Sequence, residues 1–279
     1  MYPHPQYRKD LPSLLTTALV AVCWASPSLG DAPCNELDEC RVLIEINATD
    51  GDIGFHVLFD AEGWRQAKII GPDGKLLFLE QARKALKDQK LTENFFESAE
   101  PVCEPGLVEE PGDEVVTLPE FLARFEAGFY EFQLKLDNGG VLAGTTLLSH
   151  FIPAAPADVD FDGTTITWSY GDDLGECTTQ PDGFVLAGEG DIVAYEVVME
   201  PDDDALAPFT YSVRIPAGVN SVSVPSSYLA ALPANAPLKV EVGAIERRPN
   251  GSFGNQTFSE EDGFCNNPDQ EQCPGEEED

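Results

Sequence analysis

The fold is decided by one stretch, Tyr130-Glu131-Phe132-Gln133-Leu134-Lys135-Leu136, which is followed by Asp137-Asn138-Gly139-Gly140. Apolar residues alternate in it with charged or amide residues, so one face of an extended chain is apolar and the other is polar, as in a half-buried β-strand. The next four residues contain Asn-Gly, the strongest short-range hairpin signal, and residues 141–150 can return as the second strand. We therefore predict a β-hairpin at this point.

The same alternation recurs on both sides of the hairpin. Before it, alternating segments are centred on Ile44 and Val57, and Gly71-Pro72-Asp73-Gly74 is a turn signal between two further strands. After it, Ile152-Pro153-Ala154-Ala155-Pro156 resembles a linker, and four alternating segments follow, at 166–170, 193–199, 209–215 and 238–244. Short alternating strands between turns indicate β-sandwiches. We predict an all-β fold of two immunoglobulin-like β-sandwich domains in tandem, over 31–152 and 153–264.

One short helix is expected in the first domain. Thr117 and Glu120 form a Thr-x-x-Glu capping box ahead of Phe121, Leu122 and Phe125. Residues 81–89 also have helical propensity, but strand-like segments flank them, and the predicted fold includes only the helix after Thr117.

The order of segments in the second half resembles the fibronectin type III family. The segments that carry the resemblance are Thr165-Ile166-Thr167-Trp168, with its core tryptophan, Ala194-Tyr195-Glu196-Val197, Val240-Glu241-Val242-Gly243-Ala244, and Gly254-Asn255-Gln256-Thr257 before a last short strand. The resemblance covers 153–264 and implies a fibronectin type III-like sandwich. Leu238 stands where the family usually has a tyrosine, so the tyrosine corner of that fold is not expected.

The first half resembles the amino-terminal domain of uncharacterised exported bacterial proteins that carry a C-terminal fibronectin type III-like domain. The resemblance lies in Asn47-Ala48-Thr49-Asp50-Gly51-Asp52 and in Phe95-Phe96-Glu97-Ser98-Ala99-Glu100-Pro101. It implies no function, and a fold alone implies none.

The amino-terminal segment has the composition of a signal peptide. Arg8 and Lys9 precede an apolar run over 11–24 that is too short to span a membrane. We assign residues 1–30 to the signal peptide, with cleavage after Gly30 or after Ala25, and expect a secreted or periplasmic protein without an integral membrane segment after cleavage. The acidic residues 265–279 are expected to form an unpacked tail.

The charge of the chain narrows the class of partner. It contains 16 Lys and Arg against 50 Asp and Glu, a formal charge of −34. Nucleic acid is therefore not expected as a partner, because phosphate backbones require positive patches. Such an acidic surface has three possible explanations: solubility in a salty medium, binding of divalent cations, or attraction to a basic partner.

The cysteines indicate disulfide bonds. Seven cysteines become six when Cys23 leaves with the signal peptide, and an even number in an exported chain is typical of disulfide pairing. We predict Cys34–Cys40 and Cys265–Cys273, which close the smallest loops, and Cys103–Cys177 as the remaining pair.

No catalytic residues are predicted, and the chain is not expected to be an enzyme. His56 and His150 are interpreted as partly exposed strand residues, because no Gly-x-Ser-x-Gly elbow supplies a nucleophile. Acidic residues are too numerous for a pair of them to indicate glycoside hydrolysis.

Calcium is the one candidate cofactor, and two loops could bind it. Asp158, Asp160 and Asp162, followed by Gly163, match the first half of an EF-hand loop, but Ile166 and Ser169 occupy later ligand positions, and a turn between two strands explains the same residues. The second set is Asn47, Asp50 and Asp52, for which a tight hairpin at Asp50-Gly51 is the alternative.

The sequence therefore favours an exported, non-catalytic module that recognises an extracellular protein or a glycan. A calcium-stabilised spacer and a carbohydrate-active enzyme or accessory are the alternatives. Burial of Trp64, Trp168 and Tyr195 would count against the carbohydrate-active alternative.

Overall fold

The structure, a computed structural model, describes residues 34–108, 114–203, 206 and 209–266 of the chain. The predicted signal peptide (1–30) and residues 267–279 of the predicted tail lie outside these ranges. The first half contains β1 (Glu39–Asn47), β2 (Asp52–Trp64), β3 (Gln66–Ile70), β4 (Leu76–Gln81), α1 (Lys84–Gln89), β5 (Leu91–Glu97), α2 (Leu118–Arg124), β6 (Gly128–Lys135) and β7 (Val141–Leu148). The second half contains β8 (Pro156–Phe161), β9 (Thr165–Tyr170), β10 (Ile192–Pro201), β11 (Tyr211–Pro216), β12 (Ser221–Ser223), α3 (Ser226–Leu229), β13 (Pro237–Arg247) and β14 (Phe253–Cys265).

A seven-stranded sheet runs through both halves in the order β11-β10-β13-β14-β1-β2-β5. Its halves join where β1 pairs in parallel with β14, with Glu45 opposite Gln256 and Asn47 opposite Phe258. The other neighbouring strands of this sheet are antiparallel. Strands from opposite ends of the chain thus form one continuous layer.

Two smaller sheets complete the sandwiches. The sheet β4-β3-β6-β7 packs on the first half, and its Phe132 and Leu134 share a core with Val42, Ile44 and Phe59 of the large sheet. The sheet β12-β9-β8 packs on the second half, where Ile166 and Trp168 share a core with residues of β10 and β13. The prediction of an all-β sandwich fold is confirmed.

The two smaller sheets cover only one face of the seven-stranded sheet, and no sheet of the described residues covers the other face. Along β1, Val42, Ile44 and Ile46 enter the core, so Glu45 and Asn47 lie on the opposite face. Residues directly opposite one another in the pairing share that face. We call it the open face, and it carries Leu43, Glu45, Asn47, His56, Glu97, Glu196, Glu200, Arg214, Lys239, Glu241, Gln256, Phe258 and Glu260.

Asn255 stabilises the junction of the two halves. Its side chain is fully buried, and its Oδ1 accepts a hydrogen bond from the backbone N–H of Ile44 at 2.9 Å. Its Nδ2 donates to the backbone oxygens of Ser149, at 3.0 Å, and Phe151, at 3.2 Å. One amide therefore joins β1, β14 and the segment that follows β7.

The predicted linker is a packed connection. Ile152, Ala154 and Ala155 are buried. The Oγ1 of Thr257 donates to the carbonyl of Pro153 at 2.8 Å, and the Oγ of Ser259 donates to that of Pro156 at 2.6 Å. The linker interpretation was wrong, because β14 lies beside this segment and bonds to it.

Two of the predicted disulfides, Cys34–Cys40 and Cys103–Cys177, are present. Cys177 belongs to the core of the first half, although it follows β9 in the chain. Cys265 is disulfide-bonded, and Cys273, its predicted partner, lies outside the described residues.

The helix after Thr117 is present as α2, and the Glu120 carboxylate accepts hydrogen bonds from both the backbone N–H and the Oγ1 of Thr117. The expectation of one helix in the first half was incomplete, because α1 also forms there. Residues 254–257 lie within β14 and not before a last short strand, since their pairing with β1 extends that strand.

We predict that Asn255→Ala lowers the free energy of unfolding by about 3 kcal/mol, because it removes the partner of the buried Ile44 N–H and of two partly buried carbonyls. Urea unfolding of the oxidised protein measures this change. The matched control is Asn250→Ala, at an exposed loop asparagine, which should cost less than about 1 kcal/mol. Equal costs for the two variants would contradict the role assigned to Asn255.

The two disulfides should differ in their contribution to stability. In the chain-entropy treatment, a cross-link across 74 residues stabilises by about 4 kcal/mol and one across 6 residues by about 2 kcal/mol. Serine at both Cys103 and Cys177 should therefore lower the unfolding free energy more than serine at both Cys34 and Cys40. The reverse order in denaturant unfolding would contradict this prediction.

Candidate functional site: an acidic cleft on the open face

The open face contains a cleft of about 160 Å³ above the junction of β1 and β14. Apart from Phe258, its lining is polar and mostly acidic: Glu45, Asn47, Asp52, Glu100, Glu241 and Glu260. We call this the acidic cleft. These residues are far apart in the sequence, and the β1–β14 pairing brings them together.

A wider groove of about 350 Å³ adjoins the acidic cleft and shares Glu45 and Phe258 with it. Its lining combines apolar and charged side chains, among them Leu43, Phe95, Glu97, Glu196 and Arg214. Phe95 is 59% exposed. The open face therefore offers both carboxylates and apolar surface along one continuous depression.

The ring of Phe258 lies between the acidic cleft and the wider groove, because the residue opposite Phe258 in β13 is a glycine. Gly243 is directly opposite Phe258, and a Cβ at Gly243 would lie 2.4 Å from the ring of Phe258. Only a residue without a side chain allows the ring to lie across β13 in this way.

Three side chains converge at one end of the acidic cleft. The Nε2 of His56, in β2, lies 3.4 Å from the Oε1 of Glu100 and 3.8 Å from the Oε1 of Glu45. The His56 ring is 9% exposed, and its Nε2 has no hydrogen-bond partner. Gly54 makes room for this arrangement, since a Cβ there would lie 2.7 Å from that nitrogen and 2.8 Å from the Glu100 carboxylate.

The environment of Glu45 favours its neutral form. Burial, followed by the charges of Glu100, Glu196, Glu97 and Asp52, raises the pKa of Glu45 from 4.5 to about 8. Burial and the charge of Glu100 raise the pKa of Asp52 to about 6. No Lys or Arg of the described ranges forms an ion pair with Glu45, Asp52 or Glu100.

At the other end of the cleft, one lysine offsets part of the negative charge. The Nζ of Lys239 lies 3.0 Å from the Glu260 carboxylate, 3.5 Å from that of Glu200 and 3.6 Å from that of Glu241. Burial lowers the pKa of Lys239, but the hydrogen bond and charge of Glu260 outweigh burial and raise it. Burial raises the pKa of Glu241 to about 7 despite the opposing charge of Lys239.

The structure places the two predicted calcium loops differently. Asn47 and Asp52 line the acidic cleft, whereas the carboxylate of Asp50 accepts a hydrogen bond from the Nδ2 of Asn47 at 2.7 Å at the hairpin bend. The hairpin alternative therefore describes the bend, and calcium binding by this loop stays a prediction.

Asp158, Asp160 and Asp162 lie in and after β8. The Oδ1 of Asp162 accepts hydrogen bonds from the N–H groups of Thr164 and Thr165, which closes the turn before β9. The Oδ2 of Asp158 accepts one from the Oγ of Ser169 at 2.6 Å. The arrangement matches the turn alternative, and calcium binding here stays a prediction.

Sequence reasoning missed His56 and Glu100 as members of a site. His56 was expected to be partly exposed and is buried, because Glu45, Glu97 and Phe95 surround its ring. Period-two alternation places His56 on the polar face of β2, but no local signal brings Glu100 to it.

A larger cavity of about 380 Å³ lies beside the Cys34–Cys40 disulfide. Its most buried charge, the guanidinium of Arg248, bonds to the Oγ1 of Thr146 and to the backbone oxygen of Val42. We place the candidate site at the acidic cleft, beside which the Nε2 of His56 is buried without a hydrogen-bond partner.

Trp64, Trp168 and Tyr195 are all buried, so none of them forms an exposed platform for stacking on sugar rings. This finding counts against the carbohydrate-active alternative. No helix in the described part of the chain is long and apolar enough to cross a membrane.

Comparison with protein-family models gives no match, and a search of curated proteins gives none. Among solved structures, the chain is similar to the crystal structure of chicken CNTN1 FN1-FN3 domains, with 10% identity, coverage of 84% of this chain and 67% of that chain, and a TM-score of 0.28. It is also similar to the BSP domain of a biofilm associated protein, with 12% identity, coverage of 81% and 29%, and a TM-score of 0.22. Neither similarity is strong enough to bear on function.

We predict that Glu45→Gln changes the pH dependence of stability, measured in excess chelator. The folded protein holds the Glu45 proton more tightly than the unfolded chain, so the protonated carboxyl favours the folded state. This contribution to the free energy of unfolding is complete below about pH 4.5 and is lost as the pH rises through about 8. The variant should match the wild type at pH 4.5 and exceed its unfolding free energy by roughly 2 kcal/mol at pH 9.

The control is Glu114→Gln, at a carboxylate that is 64% exposed and does not line the acidic cleft. It should leave the difference between pH 4.5 and pH 9 nearly unchanged. If the unfolding free energies of Glu45→Gln and the wild type changed with pH in parallel, ionisation of Glu45 would not be the cause of the lost stability.

Proposed function

We propose that this protein is an exported, non-catalytic interaction module that binds a basic segment of an extracellular protein through its open face. One observation supports this function above the others: an uncovered, acidic face of a seven-stranded sheet that both sandwiches share. Sandwich proteins need only one face of each sheet for their core, so the second face is free to bind.

Charge complementarity determines the chemistry of the partner. Lys239 already demonstrates how the open face accommodates an ammonium group among three carboxylates. Glu45, Asp52 and Glu100 have no such lysine or arginine in the described ranges. A lysine or arginine of the partner would supply the positive charge, and the apolar stem of that side chain would lie along Phe95 and Leu43 in the groove.

A glycan is the less favoured partner, because the two described tryptophans are buried.

Export is supported by the two disulfides, which persist in oxidising compartments. The basic and apolar composition of residues 1–30 supports a secreted or periplasmic location.

Binding of a fluorescent decalysine peptide, followed by anisotropy in the presence of chelator and moderate salt, tests this function. The variant Asp52→Asn/Glu97→Gln removes two charges from the open face, whereas Asp88→Asn/Asp182→Asn removes two exposed charges elsewhere. We expect the first variant to weaken binding roughly tenfold and the second less than twofold, because charge pairs in a groove are screened less than exposed charges.

Three outcomes would contradict the proposed function. Equal weakening by both variants would show general attraction to an acidic protein. Absence of decalysine binding would exclude a basic partner at this face. Binding of cellohexaose or chitohexaose instead, with loss in the open-face variant, would favour a glycan.

A further inference from the structure

The end of the acidic cleft formed by β1 and β2 has the ligand set of a metal site. Glu45 extends from β1, His56 from β2 and Glu100 from the segment after β5. One ligand atom from each lies within 4.8 Å of the others. We propose that Glu45, His56 and Glu100 bind a divalent transition-metal ion, with zinc as the best fit. This site goes beyond the proposed interaction, since it needs no protein partner.

His56 is the observation that separates this site from an ordinary acidic cluster. Its ring is more than nine-tenths buried, and its Nε2 points between two carboxylates without a hydrogen bond. Buried polar atoms in proteins nearly always have partners, so an unpartnered ring nitrogen needs an explanation. Neutral imidazole nitrogen is a common ligand of zinc and other transition metals.

The spacing of the ligand atoms fits a small ion. Ligand atoms bound about 2.0–2.1 Å from a tetrahedral zinc lie about 3.3 Å apart. The His56 nitrogen lies 3.4 Å from one carboxylate oxygen and 3.8 Å from the other, and all three ligand atoms lie within 4.8 Å of one another, so small side-chain shifts would bring them to this spacing. Calcium and magnesium are poorer candidates because they select oxygen ligands only.

Neighbouring groups are placed to orient the ligands. The Nδ1 of His56 faces the Glu97 carboxylate at 4.0 Å, as metal-bound histidines commonly face a carboxylate through their second nitrogen. The Nε2 of Gln256, across the β1–β14 pairing, donates to the Oε2 of Glu45 at 3.4 Å. Gly54 keeps the space between His56 and Glu100 open.

Charge also favours a cation at this end of the cleft. The carboxylates of Glu45, Glu97 and Glu100 lie within 4.0 Å of the His56 ring nitrogens. At the other end, Lys239 pairs with Glu200, Glu241 and Glu260. A divalent ion would offset this uneven charge.

The test is a zinc titration of the oxidised, untagged protein against a chromophoric chelator, with cobalt absorption as a second measure of ligand geometry. We expect one zinc ion per chain and tetrahedral cobalt bands. His56→Gln should weaken zinc binding at least tenfold and abolish those bands. The matched control is His150→Gln, at a histidine whose Nε2 contacts the backbone oxygen of Phe125, and it should bind like the wild type.

A second variant guards against a folding defect in His56→Gln. Glu100→Gln changes a side chain that is 39% exposed, so the fold should persist, and zinc binding should again fall at least tenfold. Absence of zinc binding by the wild type, or equal binding by both variants and the wild type, would overturn the proposal.

The zinc and decalysine experiments fail independently. The peptide experiment contains chelator and uses variants that keep all three ligands, whereas the zinc titration contains no peptide.

Discussion

The parallel pairing of β1 with β14 is the interaction on which the rest of the structure depends. It converts two sandwiches into a molecule with one seven-stranded sheet, and it covers an edge that each sandwich would otherwise expose. Asn255 makes the pairing specific, because its buried amide needs the Ile44 N–H and the backbone oxygens after β7 at the same time. A register slip would leave these groups unpartnered.

The acidic cleft is a consequence of the same pairing. Each half alone would carry a moderate number of carboxylates on the outer face of its sheet. Joining the halves places Glu45 in the same cleft as Glu241 and Glu260. Burial is the largest cause of the raised pKa of both Glu45 and Glu241. Lys239 relieves this repulsion at one end only. The electrostatic strain is therefore concentrated beside His56.

Local patterns were enough to predict the strands but not their assembly. The 130–136 alternation and the Asn-Gly turn place β6 and β7 correctly, because both signals act between residues close in sequence. The pairing of Glu45 with Gln256 joins residues 211 apart, and alternation records only which side chains are buried, not which strand lies alongside. For the same reason, only part of the site could be predicted. Asn47 and Asp52 are close in sequence and were predicted as ligands of one loop, whereas His56 and Glu100 come together only when β2 packs beside the segment that follows β5.

The buried charge of Glu45 can be neutralised in two ways, by a proton or by a cation. Because its pKa lies near 8, a proton fills this role at neutral pH when no cation is bound. A lysine of a partner or a metal ion at His56 would each place a positive charge beside the Glu45 carboxylate. A metal and a basic partner would also compete for the same carboxylates. The open face would then bind a basic partner most tightly when the three ligands of the proposed metal site are free, which makes metal occupancy a control on the interaction and not a support for it.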